Sequence, residues 1–366
     1  MRMGVVPTTL REWVIRRLNV APLPAVEALS GMLHSRMLMA GVRLGVFDGL
    51  AAGPTSPEAL AARLDLHPEG TRLLCEALVA GAYLRRAGGS QLALRAIAQR
   101  YLVASSPQYV GHFIEFNYEQ WEWMGHLEDA LRQGAHLDVH RALGEGSTPE
   151  SADNWTRYLR GMADLARGPA DEIAAKVPLP PRSEGQSRRL LDVGGGHGAY
   201  SAALCRRHLD LSADVLDLPA GVAAGAPIAR QLAGPLAASR IHYRAVDAMA
   251  GELGKPGSID AVLIFQLLHH LPAGAIQGLL CRAVEVLKPG GWIAVLDFLA
   301  PPRGRAPDAT SAYTALFFCL TSCGQTYSPE QVHAWLRAAG CQRVRDIPLL
   351  RVPGQPLIVG QRTPNQ

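Results

Sequence analysis

The segment Leu190-Leu191-Asp192-Val193-Gly194-Gly195-Gly196-His197-Gly198-Ala199-Tyr200-Ser201 constrains this chain more than any other. A short apolar run meets four glycines within five positions, and a helical pattern comes after them. Glycines at a strand-to-helix turn accept left-handed dihedrals and keep side chains away from an approaching ligand. The amides that open the next helix then suit a carboxylate or a phosphate. Gly194-x-Gly196-x-x-Ala199 also fits the loose dinucleotide pattern, so the loop alone leaves a nicotinamide and another nucleoside cofactor open.

The residues beyond the loop narrow this choice. Asp214-Val215-Leu216-Asp217-Leu218-Pro219 predicts a second strand ending in Asp217, placed to accept hydrogen bonds from ribose hydroxyls. The plainer reading of Asp-Leu-Pro is a carboxylate capping the next turn. Ile241 to Asp247 predicts a third strand ending in an acid, and Asp260 to Phe265 a fourth, wholly apolar after its first residue. The fourth leads into Gln266-Leu267-Leu268-His269-His270-Leu271-Pro272. An amphipathic helix carrying Leu279, Leu280, Ala283 and Val284 comes next, then Lys288-Pro289-Gly290-Gly291 as a turn. Trp292 to Asp297 predicts a fifth strand. Strands alternating with helices predict an α/β fold, a doubly wound parallel sheet covered on both faces.

In this order the motifs resemble the S-adenosylmethionine-dependent methyltransferases. They are most similar to the metal-independent small-molecule O-methyltransferases of plant and bacterial secondary metabolism. The resemblance implies a Rossmann-like domain that binds S-adenosylmethionine, releases S-adenosylhomocysteine and uses no metal. It places Asp192, Gly194, Gly195, Gly196, Gly198, Asp217, Leu218, Asp247, Ala248 and Phe265 around the cofactor, with Asp217 on the ribose and Asp247 near the adenine. His269 falls on the family's catalytic base. The chain departs from the family pattern at four positions. His270 replaces an Asp, Leu271 a Trp and Phe265 a common Lys, while Thr326 stands where many relatives carry a second carboxylate beside the base.

The N-terminal third reads as helices followed by a wing. Residues from about 25 to 50 predict an amphipathic helix and a turn, similar to the family's helical opening through Arg36 to Asp48. Ser56-Pro57-Glu58 is an N-cap with Pro at the first helical position, and His67-Pro68-Glu69 starts another helix. Leu84 to Leu94 predicts a hairpin wing. Helix-turn-helix plus wing is also a DNA-binding shape. The would-be recognition helix, however, carries Glu69, Arg72 and Glu76, two acids against one base, which disfavours phosphate contact. A winged-helix-like dimerisation region at 1–105 is therefore expected, followed by a helical pocket segment at 106–186 and the cofactor domain at 187–366.

Six aromatic residues fall between Tyr109 and Trp123, in a chain with only 6% aromatics. They predict either a seam between domains or a wall for a flat acceptor. Phe113, Phe116, Asn117, Trp121, Met162, His270, Phe317 and Phe318 are the expected acceptor contacts. Trp155, Tyr158 and Met162 share one helical face. Asp297, ending the strand beside that of His269, is the expected partner of the base, because adjacent parallel strand ends lie about 5 Å apart. Helical spacing turns His270 away from His269.

A net charge of +4 with no Lys/Arg run neither demands nor excludes an acidic partner. No signal peptide and no apolar run of membrane-spanning length are evident. The six cysteines (Cys75, Cys205, Cys281, Cys319, Cys323, Cys341) form no C-x-x-C, so free thiols in a reducing cytoplasm are expected. The sequence thus points to a cytoplasmic homodimer that methylates a hydroxyl on a small aromatic metabolite, without nucleic acid or membrane as partner. C- or N-methylation, or another reaction on the same cofactor fold, is the alternative among enzymes. A cofactor-sensing or DNA-binding module is the alternative outside them.

Overall fold

The computed structural model describes residues 9–363 except 135, 145–147, 183–184, 303, 323–324 and 353, so Cys323 lies outside the described residues. The chain divides into two units, Met1–Glu119 and Gln120–Gln366. The second unit thus includes residues 120–186, because the long helix of that segment packs with the helices of the sheet domain.

In the first unit the helices are α1 (Leu10–Leu18), α2 (Leu23–Arg43), α3 (Val46–Gly49), α4 (Pro57–Leu64) and α5 (Pro68–Ala80). Strands β1 (Leu84–Arg86) and β2 (Leu92–Leu94) come next, then α6 (Ala96–Tyr101) and α7 (Gly111–Met124), which runs across the division. The Ser56 hydroxyl accepts from Ala59 N at 3.2 Å and His67 Nδ1 from Gly70 N at 3.2 Å, so both helix starts are capped by the side chains the sequence supplies. Antiparallel pairing of Leu84 with Leu94 and of Arg86 with Leu92 forms the wing. Phe47, Leu60, Leu78 and Leu84 make its core. On α5 the charges pair with neighbours, Arg72 with Glu69 and Glu76 with Arg86, each at 2.7 Å.

The second unit begins with α8 (Leu127–Gln133), α9 (Val139–Ala142) and α10 (Pro149–Lys176). It continues with β3 (Arg188–Val193), α11 (Ala199–Arg207), β4 (Leu211–Asp217), α12 (Pro219–Ala233), α13 (Pro235–Ala238), β5 (Ile241–Ala245) and β6 (Ile259–Phe265). A 3-10 turn at Leu268–His270 precedes α14 (Ala273–Val286), β7 (Leu287–Leu296), α15 (Ala309–Thr321), α16 (Pro329–Ala338), β8 (Cys341–Ile347) and β9 (Leu357–Arg362). The sheet order is β5-β4-β3-β6-β7-β9-β8, parallel from β5 to β7, with β9 antiparallel to both its neighbours. All seven residues of β6 are buried, as its place in the middle of the sheet requires. One face is covered through Ile173, Leu204 and Leu211, the other through Leu279, Leu280 and Leu336.

Two local expectations are corrected. Lys288–Gly291 is not a free turn before the strand; it is an irregularity inside β7, whose pairing with β6 shifts between Ile259 and Ala261. The third strand stops at Ala245, two residues short of Asp247. Cys75, Cys205, Cys281, Cys319 and Cys341 are free, and burial raises the thiols of Cys75 and Cys205 to about 11.

Candidate active site

The glycine loop leaves β3 between two parallel neighbours, β4 and β6. Gly194, Gly196 and Gly198 all hold positive φ, so a side chain at any of them is strained. Gly194 N and Gly195 N both donate to the Leu216 carbonyl, at 2.8 and 3.2 Å. Tyr243 of β5 donates its hydroxyl to the Gly196 carbonyl at 2.9 Å, fastening the loop from the sheet edge. On the helix side Gly225 of α12 approaches so closely that a Cβ there would lie 2.0 Å from the Gly196 oxygen.

Asp192 lies beneath this loop and is only 1% exposed. Its carboxylate accepts the Ser201 hydroxyl at 2.7 Å, and burial raises its pKa to about 6. The side chain therefore underpins the loop. Asp217, the last residue of β4, accepts from Gly196 N at 2.7 Å and from its neighbour Leu218 N at 2.8 Å. Asp217 thus ties the end of β4 to the glycine loop. Burial pushes the Asp217 pKa up, and the two amides pull it back. A carboxylate has about four lone-pair sites, so acceptor capacity remains for two hydroxyl donors.

Leu218 is exposed, and Ala248 is half-buried beyond β5. Asp247 is exposed and accepts from Met249 N at 2.8 Å, turning the chain. Arg282 of α14 holds this turn, donating to the carbonyls of Ala248, Met249 and Gly251. Phe265 sits edge-on to Tyr200, ring centroids 5.0 Å apart, as part of the core under the loop.

The second half of the site lies beyond β6. Gln266 takes φ +53 and donates its amide to Leu296 of β7, which reverses the chain into the 3-10 turn. Because Phe265 pairs with Leu296, Asp297 emerges beside that turn. Its Oδ2 accepts from Leu268 N at 2.8 Å and His269 N at 3.4 Å; its Oδ1 accepts from Phe298 N at 2.7 Å and meets His269 Nδ1 at 2.6 Å. His269 and Asp297 are 5% and 3% exposed, so this pair is screened from water. Phe318 stacks on the His269 ring at 3.8 Å and 10°.

His270 does not turn away. In the tight turn its ring lies 4.1 Å from that of His269, and its Nδ1 is 2.9 Å from the Ser322 hydroxyl. His140 of α9 adds a third imidazole, 4.7 Å from His270 and stacked on Trp155. Burial and the neighbouring imidazoles hold His270 well below the usual histidine range, and burial lowers His140.

Phe317 is half-buried beside Phe318, Met162 is half-buried on α10, and Trp121 is exposed. Phe116 is buried and Phe113 and Asn117 are half-buried on α7, in the first unit. Thr326 is half-buried, and among the described residues Asp297 is the one carboxylate bonded to His269. No group of three or more His, Cys, Asp or Glu suited to a metal occurs among the described residues.

Tyr243, Arg282, His140 and Ser322 were not singled out by the sequence. Each acts across elements that are far apart in the chain, and an arginine on an amphipathic helix reads as a solvent-facing charge.

A family model described as the O-methyltransferase domain matches residues 124–342, and one described as the O-methyltransferase dimerisation domain matches 26–104. The chain belongs to the O-methyltransferase family. Among relatives of this methyltransferase is the 3-hydroxy-5-methyl-1-naphthoate 3-O-methyltransferase of Streptomyces sahachiroi, 28% identical over 89% of this chain and 91% of that protein. Acetylserotonin O-methyltransferase of Bos taurus is 28% identical over 87% of this chain and 92% of that one. Human N-acetylserotonin methyltransferase, solved in complex with SAM, superposes with a TM-score of 0.79 over 98% of this chain and all of that chain, at 22% identity, and so shares its fold.

Proposed function

We propose that this methyltransferase moves a methyl group from S-adenosylmethionine to a hydroxyl of a small aromatic acceptor, with His269 as general base. The buried 2.6 Å contact between His269 Nδ1 and Asp297 carries the reading. The cofactor, when bound, supplies an electrophilic methyl on a sulfonium. The residues present fit it: the three positive-φ glycines keep side chains off the loop, and Asp217 keeps acceptor sites for ribose hydroxyls. Both Asp297 oxygens accept from backbone N–H groups, so Nδ1 carries the ring proton toward Oδ1 and Nε2 presents its lone pair to the acceptor hydroxyl. As the methyl carbon exchanges its bond to sulfur for one to the acceptor oxygen, the hydroxyl proton passes to Nε2 while Nδ1 keeps its own, and Asp297 stabilises the imidazolium. The naphthoate and acetylserotonin named for the relatives favour a flat acceptor, as do Phe318, Phe298 and Trp155 around the histidines.

Calorimetry with S-adenosylmethionine tests the cofactor half. Asp217→Ala is expected to lose about 1.5–3 kcal/mol of affinity, the scale of hydrogen bonds to a charged group. Binding of NAD with no response to S-adenosylmethionine would defeat it.

The methyltransferase is proposed to work as a homodimer. No residue of α1 is buried, and Leu10, Trp13 and Leu18 are more than half exposed, as are Leu29 and Leu33 of α2. Such apolar surface suits a second copy. Light scattering at micromolar concentration is expected to give twice the chain mass, and a fully active monomer would contradict this.

A further inference from the structure

Two of the three clustered imidazoles are not needed for the base. His269 already has Asp297 as its partner, whereas His270 has a neutral hydroxyl, Ser322, and His140 makes no hydrogen bond among the described residues. Yet His140 is placed as a histidine that can take a charge. Its ring lies parallel to the Trp155 indole at 5.7 Å and 10°, and a π face favours a cation over a neutral ring. Trp155 is itself fixed by donating Nε1 to the Gly144 carbonyl at 2.8 Å. Asp138, two residues away on the same segment, also favours the cation, while burial and His269 oppose it. Tyr158 of α10 meets the ring edge-on at 6.0 Å, and His270 is the remaining titratable neighbour. Burial is the largest of these influences and holds the His140 pKa below the usual histidine range; a negative charge arriving beside the ring acts in the other direction.

We infer that His140, backed by Trp155 and flanked by His270, recognises an acidic group on the acceptor, so that the substrate class is hydroxy-aromatic acids. This rests on the methyl-transfer reading of the same site. A carboxylate entering the cluster accepts a hydrogen bond from the His140 imidazole, which takes one proton from solvent and becomes the counter-ion. The acceptor hydroxyl then lies toward His269, on the other side of His270. A neutral carbonyl in that place would draw no proton, which separates the two chemistries experimentally.

The probes are 6-hydroxy-2-naphthoate and 2-naphthol, which differ only by a carboxylate set on the far ring from the hydroxyl. Binding of the acid to the dimer loaded with S-adenosylhomocysteine is measured by calorimetry in buffers of different ionisation enthalpy, which counts protons taken up. Turnover of both probes is measured with S-adenosylmethionine. The wild type is expected to take up close to one proton per acid at pH 8 and to favour the acid in kcat/KM by about tenfold or more. The KM of the acid is expected to rise with pH above neutrality while that of 2-naphthol stays level. His140→Phe, which keeps a flat ring on Trp155, is expected to lose both the proton uptake and the preference. Acid binding without buffer dependence, no acid binding at all, or an unchanged preference in His140→Phe would each overturn the inference. Efficient methylation of 2-naphthol alongside any of these would leave the methyl-transfer reading standing. Failure of the wild type to bind S-adenosylmethionine or to methylate either probe would instead strike that reading.

Discussion

Replacing His269 by alanine is expected to lower kcat by about 10²–10⁴ while the Kd for S-adenosylmethionine barely moves. A phenol titrates near 10 and an imidazole near 6.5, so complete proton transfer before reaction would cost about 5 kcal/mol. A base held in place avoids that cost by taking the proton as the O–C bond forms. His269 is held from three sides: Asp297 on Nδ1, Phe318 against the ring face, and the backbone turn bonded to the same carboxylate. Sequence spacing alone suggests a milder effect for Asp297→Asn. The structure changes that expectation, because the two oxygens face three backbone N–H groups as well as the imidazole. An asparagine amide must turn its NH2 toward some of these donors. Its loss of kcat is therefore expected to match that of His269→Ala, with a lower Tm that His269→Ala does not share. Transfer to carbon, to an amine or to an acceptor already ionised needs no base. A His269→Ala effect below tenfold, with fold and cofactor binding intact, would remove His269 from the role and leave orientation as the main source of rate.

Much of this site is legible in the sequence, for reasons that particular residues show. Glycine spacing and strand alternation are local signals, so Gly194 to Gly198, Asp217 and the five parallel strands could be read directly. Asp297 was reachable because parallel neighbours in an α/β sheet bring their ends together, and Phe265 does pair with Leu296. Residues 268–270 were harder. Three residues carry no period, and helical spacing put His270 on the wrong side of a turn that is in fact 3-10. Lys288-Pro289-Gly290-Gly291 has the composition of a free turn, but pairing of Leu287 and Trp292 with β6 on either side draws it into β7 as a bulge. Tyr243 on Gly196, Arg282 on three carbonyls and His140 on Trp155 were invisible, because such contacts depend on how elements pack and not on neighbours in sequence.

Gly225→Ala is expected to do more damage than any other single methyl added to this domain. The new Cβ would lie 2.0 Å from the Gly196 carbonyl oxygen and 2.9 Å from its carbon, and both are backbone atoms that no rotamer change can move. Either α12 retreats from the sheet or the glycine loop shifts. The loop is the less free of the two to move harmlessly, since Tyr243 grips the same carbonyl and Asp217 the amide of the same residue. Over-packing of this kind costs about 1–3 kcal/mol, and a backbone contact belongs at or above the top of that range. The Kd for S-adenosylmethionine is expected to rise by more than about a hundredfold, with a clear fall in Tm. Gly278→Ala is the matched control: also a helical glycine, in α14, it is exposed and has nothing within 4 Å of the added carbon. Relief of the glycine helix penalty there is expected to raise stability by up to about 1 kcal/mol and leave cofactor affinity alone. Calorimetry and thermal unfolding on the two variants separate a general effect of alanine from the contact with Gly196. Equal cofactor affinity and equal Tm in both would mean that α12 does not press on the loop, and that the loop's shape is set by its own glycines.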